Sequence, residues 1–151
     1  MNDARELLEE IVDVLRIPDK GKEARTYRQK ARKEYISFTK QRKPISKTVH
    51  KIRGKMLRYI RRLLKFSEEL ADKNGLSLLK KQQYKNLLVI NELYKQQLEM
   101  YEKRNTRIDD RIVSISQPHV RPIVRGKVSA ATEFGAKVEI SVEGRGWLRA
   151  K

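Results

Sequence analysis

Hydrophobic residues recur at intervals of three and four along most of the first hundred positions, the period of helices that bury one face. An Ile-Pro-Asp break at residues 17–19 follows the first stripe and predicts the end of a helix there. This first stripe consists of Leu7, Leu8, Ile11, Val12 and Leu15. The chain is therefore expected to begin with an amphipathic helix.

Three further helices are predicted before residue 110. The second covers about residues 22–42, where Tyr27, Ala31, Tyr35 and Phe38 recur at the same spacings. The third covers about residues 46–72, and its stripe is Val49, Ile52, Met56, Ile60, Leu63 and Phe66. The fourth extends to about residue 104 and has an apolar face of Leu87, Ile90, Tyr94, Leu98 and Tyr101. We expect that face to pack against the second and third helices, or to bind a partner as an oligomer or with another helical protein.

The period changes to two after residue 110. Residues 111–116 (R-I-V-S-I-S) are typical of a strand, and residues 133–142 alternate like a half-buried strand. A turn at residues 143–146 predicts a return strand at residues 147–148 (W-L), close to the end of the sequence. Because two strands without further partners are marginally stable, we expect an incomplete β element.

Together these patterns predict a mostly α protein with a small C-terminal antiparallel β element: four helices, then two or three short strands. We divide it into a helical, strongly basic region at residues 1–110 and a β region at residues 111–151. A length of 151 residues suits one domain with a real core. The 36% charged residues favour long, solvated helices over a compact sandwich.

Positive charge is concentrated in one stretch of the chain. Between residues 16 and 65, nineteen Lys and Arg face three acids, so this segment carries +16 of the formal net charge of +17. Residues 1–15 carry −4, residues 66–110 are neutral, and residues 111–151 carry +5. Positive charges concentrated to this extent repel one another, and a segment of this kind usually binds a polyanion. Nucleic acid is therefore the leading candidate partner.

The third helix collects its cations on one side. Five of them fall within roughly 80° of arc at 100° per residue, about 120° from the apolar stripe. We predict phosphate contacts from Lys51, Lys55, Arg58, Arg62 and Lys65, together with the neighbouring Arg61. Stacked like charges destabilise a helix by a few tenths of a kcal/mol per pair, and phosphates would offset this repulsion. For a second set of cations we expect either another phosphate contact or the solubilising of a strand edge: Arg121, Arg125, Lys127 and Lys137.

Signals for catalysis and metal binding are weak. The chain has no cysteine, its two histidines (His50 and His119) lie far apart, and its carboxylates lack the spacing of a two-metal site. No serine or histidine has the context of a catalytic triad. No apolar run reaches the roughly 18 residues that cross a bilayer, and the N-terminus lacks the features of a signal peptide. We predict no catalytic residue, no metal site and no cofactor in this chain, no membrane association, and a cytoplasmic location.

Three segments carry motifs typical of one protein family. Residues 111–127 (R-I-V-S-I-S-Q-P-H-V-R-P-I-V-R-G-K) are followed by residues 133–137 (E-F-G-A-K). Residues 2–6 (N-D-A-R-E) are similar to a family segment N-E-A-R-E, and residues 94–101 (Y-K-Q-Q-L-E-M-Y) match its pattern Y-x-Q-Q-x-x-M-Y. With these motifs, residues 2–146 resemble the central region of bacterial insertion-sequence transposases of the DDE type.

This resemblance implies an RNase H-like nuclease that cuts transposon ends and joins them to target DNA with two Mg²⁺ ions on an Asp-Asp-Glu triad. In the family, the first aspartate precedes the segment matching residues 2–6. The second aspartate and the glutamate follow the segment matching residue 137, so none of the three maps to this chain. The resemblance therefore implies an internal fragment with an incomplete RNase H-like sheet, located at the bacterial nucleoid. Mg²⁺ is expected for the intact family enzyme.

The sequence thus predicts a transposase fragment that binds DNA through phosphate contacts and performs no strand transfer alone. Two alternatives stay open. The same charge would serve an RNA-binding, ribosome-associated protein. A helical interaction module is the other alternative, in which the basic face binds an acidic protein and the apolar face at residues 87–101 binds a helix.

Overall fold

The helices and strands of the protein lie in two units along the chain. A computed structural model describes residues 1–19, 25–124, 132–135, 140–142 and 148–150. The units are Met1–Ile108 and Asp109–Lys151. The first contains α1 (Asn2–Leu15), α2 (Arg28–Thr39), α3 (Ser46–Asn74), a 3₁₀ turn (Leu76–Leu78) and α4 (Lys81–Glu102). The second contains β1 (Arg121–Val124), β2 (Thr132–Gly135), β3 (Ile140–Val142) and β4 (Leu148–Ala150). This architecture confirms the predicted mostly helical chain with a small C-terminal antiparallel β element. The described residues contain four short strands, however, and not the predicted two or three.

Apolar side chains of α1, α3 and α4 form the core of the helical unit. α1 packs most extensively on α3 and also contacts α4, which itself packs on α3. The buried apolar residues of these helices are Ala4, Leu8, Ile11, Val12, Leu15, Met56, Leu57, Ile60, Leu63, Leu64, Ile90, Leu93 and Met100. The predicted stripe of the third helix is confirmed at Met56, Ile60 and Leu63. Its outer members, including Val49 and Phe66, are half-buried.

Polar contacts join the C-terminal ends of α1 and α3. The Asn74 side-chain amide donates to the Leu15 carbonyl oxygen at 2.8 Å and to a carboxylate oxygen of Asp19 at 3.3 Å. Lys73 forms an ion pair with Asp19, and its hydrogen bond lowers the pKa of that carboxyl. Gly75 ends α3 with φ +83°, a backbone conformation that residues with a side chain rarely adopt. These contacts hold the ends of the two core helices together.

α2 is shorter than predicted and packs on α3 with little apolar burial. It begins at Arg28 because Tyr27 has a left-handed backbone (φ 55°) and interrupts the helical path. The predicted start of this helix, at residues 22–24, lies outside the described residues. Within α2, which is described throughout, Ala31 is the single buried residue.

The β unit differs from the prediction in its first segment. Residues 111–116 form no strand. The Ser114 hydroxyl instead accepts a hydrogen bond from the Gln117 N–H at 3.2 Å, and such local side-chain bonds compete with strand pairing. Among the described residues, β1 pairs antiparallel with β2, and β3 pairs antiparallel with β4.

The two later strand predictions have different outcomes. The strand predicted for residues 133–142 is represented by β2 and β3, and residues 136–139 between them lie outside the described part. The return strand is confirmed as β4, which places Leu148 opposite Val142. Trp147 lies outside the described residues.

Candidate nucleic-acid interface

α3 turns a row of cations away from the core. We call this surface the α3 basic face, defined by Lys51, Lys55, Arg58, Arg62 and Lys65. Lys55 is half-buried and the other four side chains are exposed. The core residues of the same helix lie on its opposite side, as the 100° period requires. Arg61 is also exposed, about 40° outside the arc of the face.

Several of these cations have no carboxylate partner among the described residues. Within the described part of the chain, Lys51, Arg58 and Arg61 form no ion pair with a carboxylate. Lys65 lies 3.7 Å from Glu69, but both side chains are more than half exposed, and such pairs are weak in water. These four residues can therefore approach an external anion without first breaking a strong contact.

Lys55 differs because α2 supplies it with a carboxylate. Its ammonium group lies 2.8 Å from one oxygen of Glu34, and the Tyr59 hydroxyl donates to the other at 3.2 Å. Partial burial pushes the pKa of Glu34 upward, but the hydrogen bonds from Lys55 and Tyr59 outweigh it and hold this pKa below its usual value. Partial burial and the adjacent Glu34 carboxylate raise the pKa of Tyr59. Glu34 is therefore charged at neutral pH and neutralises one cation of the face.

Arg62 is positioned by an aromatic ring. Its guanidinium carbon lies 4.7 Å from the centroid of the Tyr27 ring, within range of a cation–π contact. The left-handed backbone of Tyr27 places this ring just before α2 begins. Arg62 remains exposed, so its N–H groups stay accessible to a phosphate while the ring supports the guanidinium plane.

A cleft separates α2 from α3 beside the basic face. Tyr27, just before α2, contacts Arg62 in the later part of α3, and Glu34 in the middle of α2 contacts Lys55. The last turn of α2 lies beside the first turns of α3. The two helices therefore run antiparallel. The cleft has a volume of about 350 Å³. Its lining consists of Lys33, Glu34, Ser37, Phe38, Gln41, Thr48, Lys51, Ile52 and Lys55. We call it the α2–α3 cleft.

Two cations of this surface were missing from the sequence prediction. Lys47 is exposed one turn before Lys51 and extends the same row, a position that its spacing of four residues already indicated. Lys33 reaches the cleft from α2. No local spacing could reveal Lys33, because its proximity to Lys51 depends on how the two helices pack.

The second set of predicted cations, introduced above as Arg121, Arg125, Lys127 and Lys137, is only partly described. Arg125, Lys127 and Lys137 lie outside the described residues. Arg121 begins β1, and its guanidinium group donates to the carbonyl oxygens of Pro118 and Val120 and lies 3.8 Å from Asp110. The structure thus gives Arg121 a local role in the strand that it begins, and phosphate binding by the other three stays a prediction.

The apolar face predicted for the fourth helix lies partly in the core. Ile90 is fully buried, and the Tyr101 ring stacks on His50 with centroids 4.2 Å apart. Gly54 makes room for that ring: a Cβ atom there would lie 2.5 Å from the Tyr101 hydroxyl oxygen. Leu87, Tyr94 and Leu98, the other members of the face, are half-buried. α4 therefore packs on α3 as predicted, but its second main neighbour is α1 and not α2, so this part of the prediction was wrong. Partner binding by this face stays a prediction.

The described residues offer no metal centre and no membrane-spanning segment. They contain no group of three or more His, Asp or Glu placed to hold a metal ion. None of the described helices is both long and apolar enough to cross a bilayer.

Comparisons with protein-family models, curated proteins and solved structures found no match to this chain.

Proposed function

We propose that the protein binds nucleic acid, and DNA in particular, through phosphate contacts made by the α3 basic face. One observation carries the proposal. The cations Lys51, Arg58, Arg62 and Lys65 lie exposed on one side of a helix whose other side is anchored in the core. A row of like charges is stabilised when a polyanion neutralises it.

The length of the row suits a nucleic-acid backbone. Lys51 and Lys65 are separated by fourteen residues, or about 21 Å along the helix axis. Measured along the axis of a duplex, this length spans about six phosphates of one strand, at an axial rise of 3.4 Å per phosphate. Contacts of this kind position a protein on nucleic acid without reading its sequence. We therefore propose binding that depends little on base sequence.

The resemblance to DDE-type transposases supports DNA as the polyanion. We propose that this chain supplies a DNA-binding segment of such a transposase and performs no strand transfer by itself. Incubation with supercoiled DNA and Mg²⁺ tests it, because nicking by the purified chain would contradict this assignment.

A salt titration of duplex binding tests the phosphate contacts. With six or seven contacts, log K should fall against log salt with a slope of about −5 to −6. Replacing Lys47, Lys51 and Lys65 by Gln should make the slope shallower by about 3, or one unit per contact. Lys80, Lys81 and Lys85 provide the matched control, since these three lysines are also exposed but lie at the start of α4.

The outcomes of this titration separate the alternatives. A slope near zero would overturn the proposal, and equal changes in both triple variants would place the contacts elsewhere than on α3. Competition between duplex DNA and structured RNA then identifies the polyanion, because RNA readers prefer A-form or single-stranded shapes. Stronger binding of the RNA would favour an RNA-binding protein.

A further inference from the structure

We infer that the α2–α3 cleft binds one unpaired nucleotide of a strand that lies on the α3 basic face. This inference rests on the proposed nucleic-acid binding and adds a site with a different ligand chemistry. The cleft volume of about 350 Å³ falls within the range of about 300–1,000 Å³ seen for small-molecule sites. Its position beside the basic face lets one strand reach both surfaces.

The lining of the cleft combines the two kinds of group that a nucleotide needs. Phe38 and Ile52 supply apolar surface on which the face of a base can lie, and stacking on an aromatic ring is a common mode of single-strand binding. Lys33 and Lys51 are exposed cations of the same lining and are suited to the attached phosphate. Among the described residues, neither forms an ion pair with a carboxylate.

The charge of the cleft favours an anion despite the acid within it. Glu34 is the single carboxylate among the lining residues, against Lys33, Lys51 and Lys55. Its charge is already neutralised by Lys55 at 2.8 Å. Two cations therefore remain for the ligand. Ser37, Gln41 and Thr48 add neutral hydrogen-bonding groups that can contact the sugar or the edge of a base.

The ligand must be unpaired because of the geometry of the site. A base in a duplex is stacked on both faces, so its face can reach protein side chains only after leaving the stack. The ring available for stacking is that of Phe38, which lines the space between α2 and α3. A single-stranded or locally opened segment meets this condition, whereas an intact duplex can use only the α3 basic face.

Filling the cleft without changing its charge tests the inference. Ser37 is exposed on α2, so Ser37→Leu should fold normally and occupy the space for the base. We expect this variant to bind a single-stranded oligonucleotide about tenfold more weakly, in line with the loss of one stacked base. Binding of a duplex with the same number of phosphates should change less than twofold. Ser77→Leu, at an exposed serine of the 3₁₀ turn, is the matched control and should change neither.

An abasic strand of equal length separates base binding from phosphate binding. It keeps the phosphates and lacks the bases, so Ser37→Leu should leave its affinity unchanged. Phe38→Leu provides a second variant that keeps apolar bulk but removes the ring. It should also weaken binding of the normal single strand selectively, with thermal melting as the check that the fold is retained.

Two results would overturn the inference. Equal losses for single strand, duplex and abasic strand would mean that Ser37→Leu disturbs the basic face, and unchanged affinity for all three would mean that the cleft takes no nucleotide. In either case, a steep salt slope of the wild-type protein would leave the proposed phosphate binding intact. A slope near zero for the wild-type protein would instead remove the proposed function itself.

Discussion

α1 and α2 both pack on α3, but different forces attach them. α1 contributes fully buried apolar residues along its length, among them Leu8, Val12 and Leu15. In α2, Ala31 is the single buried residue, and polar contacts tie the helix to both of its neighbours. Arg28 pairs with Glu9 and Asp13 of α1, and Glu34 pairs with Lys55 of α3.

This difference predicts which part of the helical unit responds to its ionic surroundings. Burial of apolar area is nearly independent of moderate salt, whereas partly exposed ion pairs are weakened by screening. One polar contact of α2, the Glu34–Lys55 ion pair, involves a residue of the α3 basic face. A polyanion on that face would therefore affect the attachment of α2 more than that of α1.

The largest expected effect is on the apolar attachment of α1. Leu8→Ala should lower the free energy of unfolding by about 2–5 kcal/mol, because it leaves a cavity in the core. Urea denaturation measures this change. Leu88→Ala is the matched control, since the Leu88 side chain is 54% exposed and its truncation should cost less than about 0.5 kcal/mol. Similar losses in both variants would contradict the assignment of the core.

A smaller effect is expected where Gly54 of α3 contacts Tyr101 of α4. Gly54→Ala should lower the free energy of unfolding by about 1–3 kcal/mol, because its Cβ would displace the Tyr101 ring from His50. In a Tyr101→Leu background the clash is removed, and the better helix propensity of alanine should make the same change stabilising by up to about 1 kcal/mol. A cost that persists in that background would place its origin elsewhere.

The polar attachment of α2 should show a small stability effect and a clear binding effect. Glu34→Gln should lower the free energy of unfolding by at most about 1 kcal/mol, since both partners are partly exposed. It releases Lys55 to the ligand, so the salt slope of duplex binding should steepen by about one unit. In a Lys55→Gln background the steepening should disappear. Glu69→Gln is a control that should leave the slope unchanged, because Lys65 is already well exposed.

The smallest effect expected is a dependence of α2 attachment on pH. The pKa of Glu34 is lowered in the folded protein, so its contribution is present above the usual value of 4.5 and is lost as the pH falls through the lower folded value. The stability difference between wild type and Glu34→Gln should therefore shrink below pH 4.5. Urea denaturation at a series of acidic pH values measures it, and a constant difference would rule out titration of this carboxyl.

Much of the helical unit could be predicted because its elements are long and periodic. The ends of α1 and α3 follow from the Pro18 break and from Gly75, and their buried faces follow the apolar stripes. Prediction was less successful where local contacts compete with the pattern. Tyr27 delays the start of α2, and residues 111–116 form no strand where the Ser114 hydroxyl bonds locally to Gln117.

The sequence by itself determined how charge is distributed along the chain. It also determined that Lys51, Arg58 and Lys65 share one face of α3, because the helical period assigns residues to faces without reference to the rest of the chain. The tertiary structure decided which cations are available. Glu34 lies 21 residues before Lys55, yet antiparallel packing of α2 on α3 brings the two within 2.8 Å. The same packing creates the α2–α3 cleft, since a space between two helices depends on their relative placement.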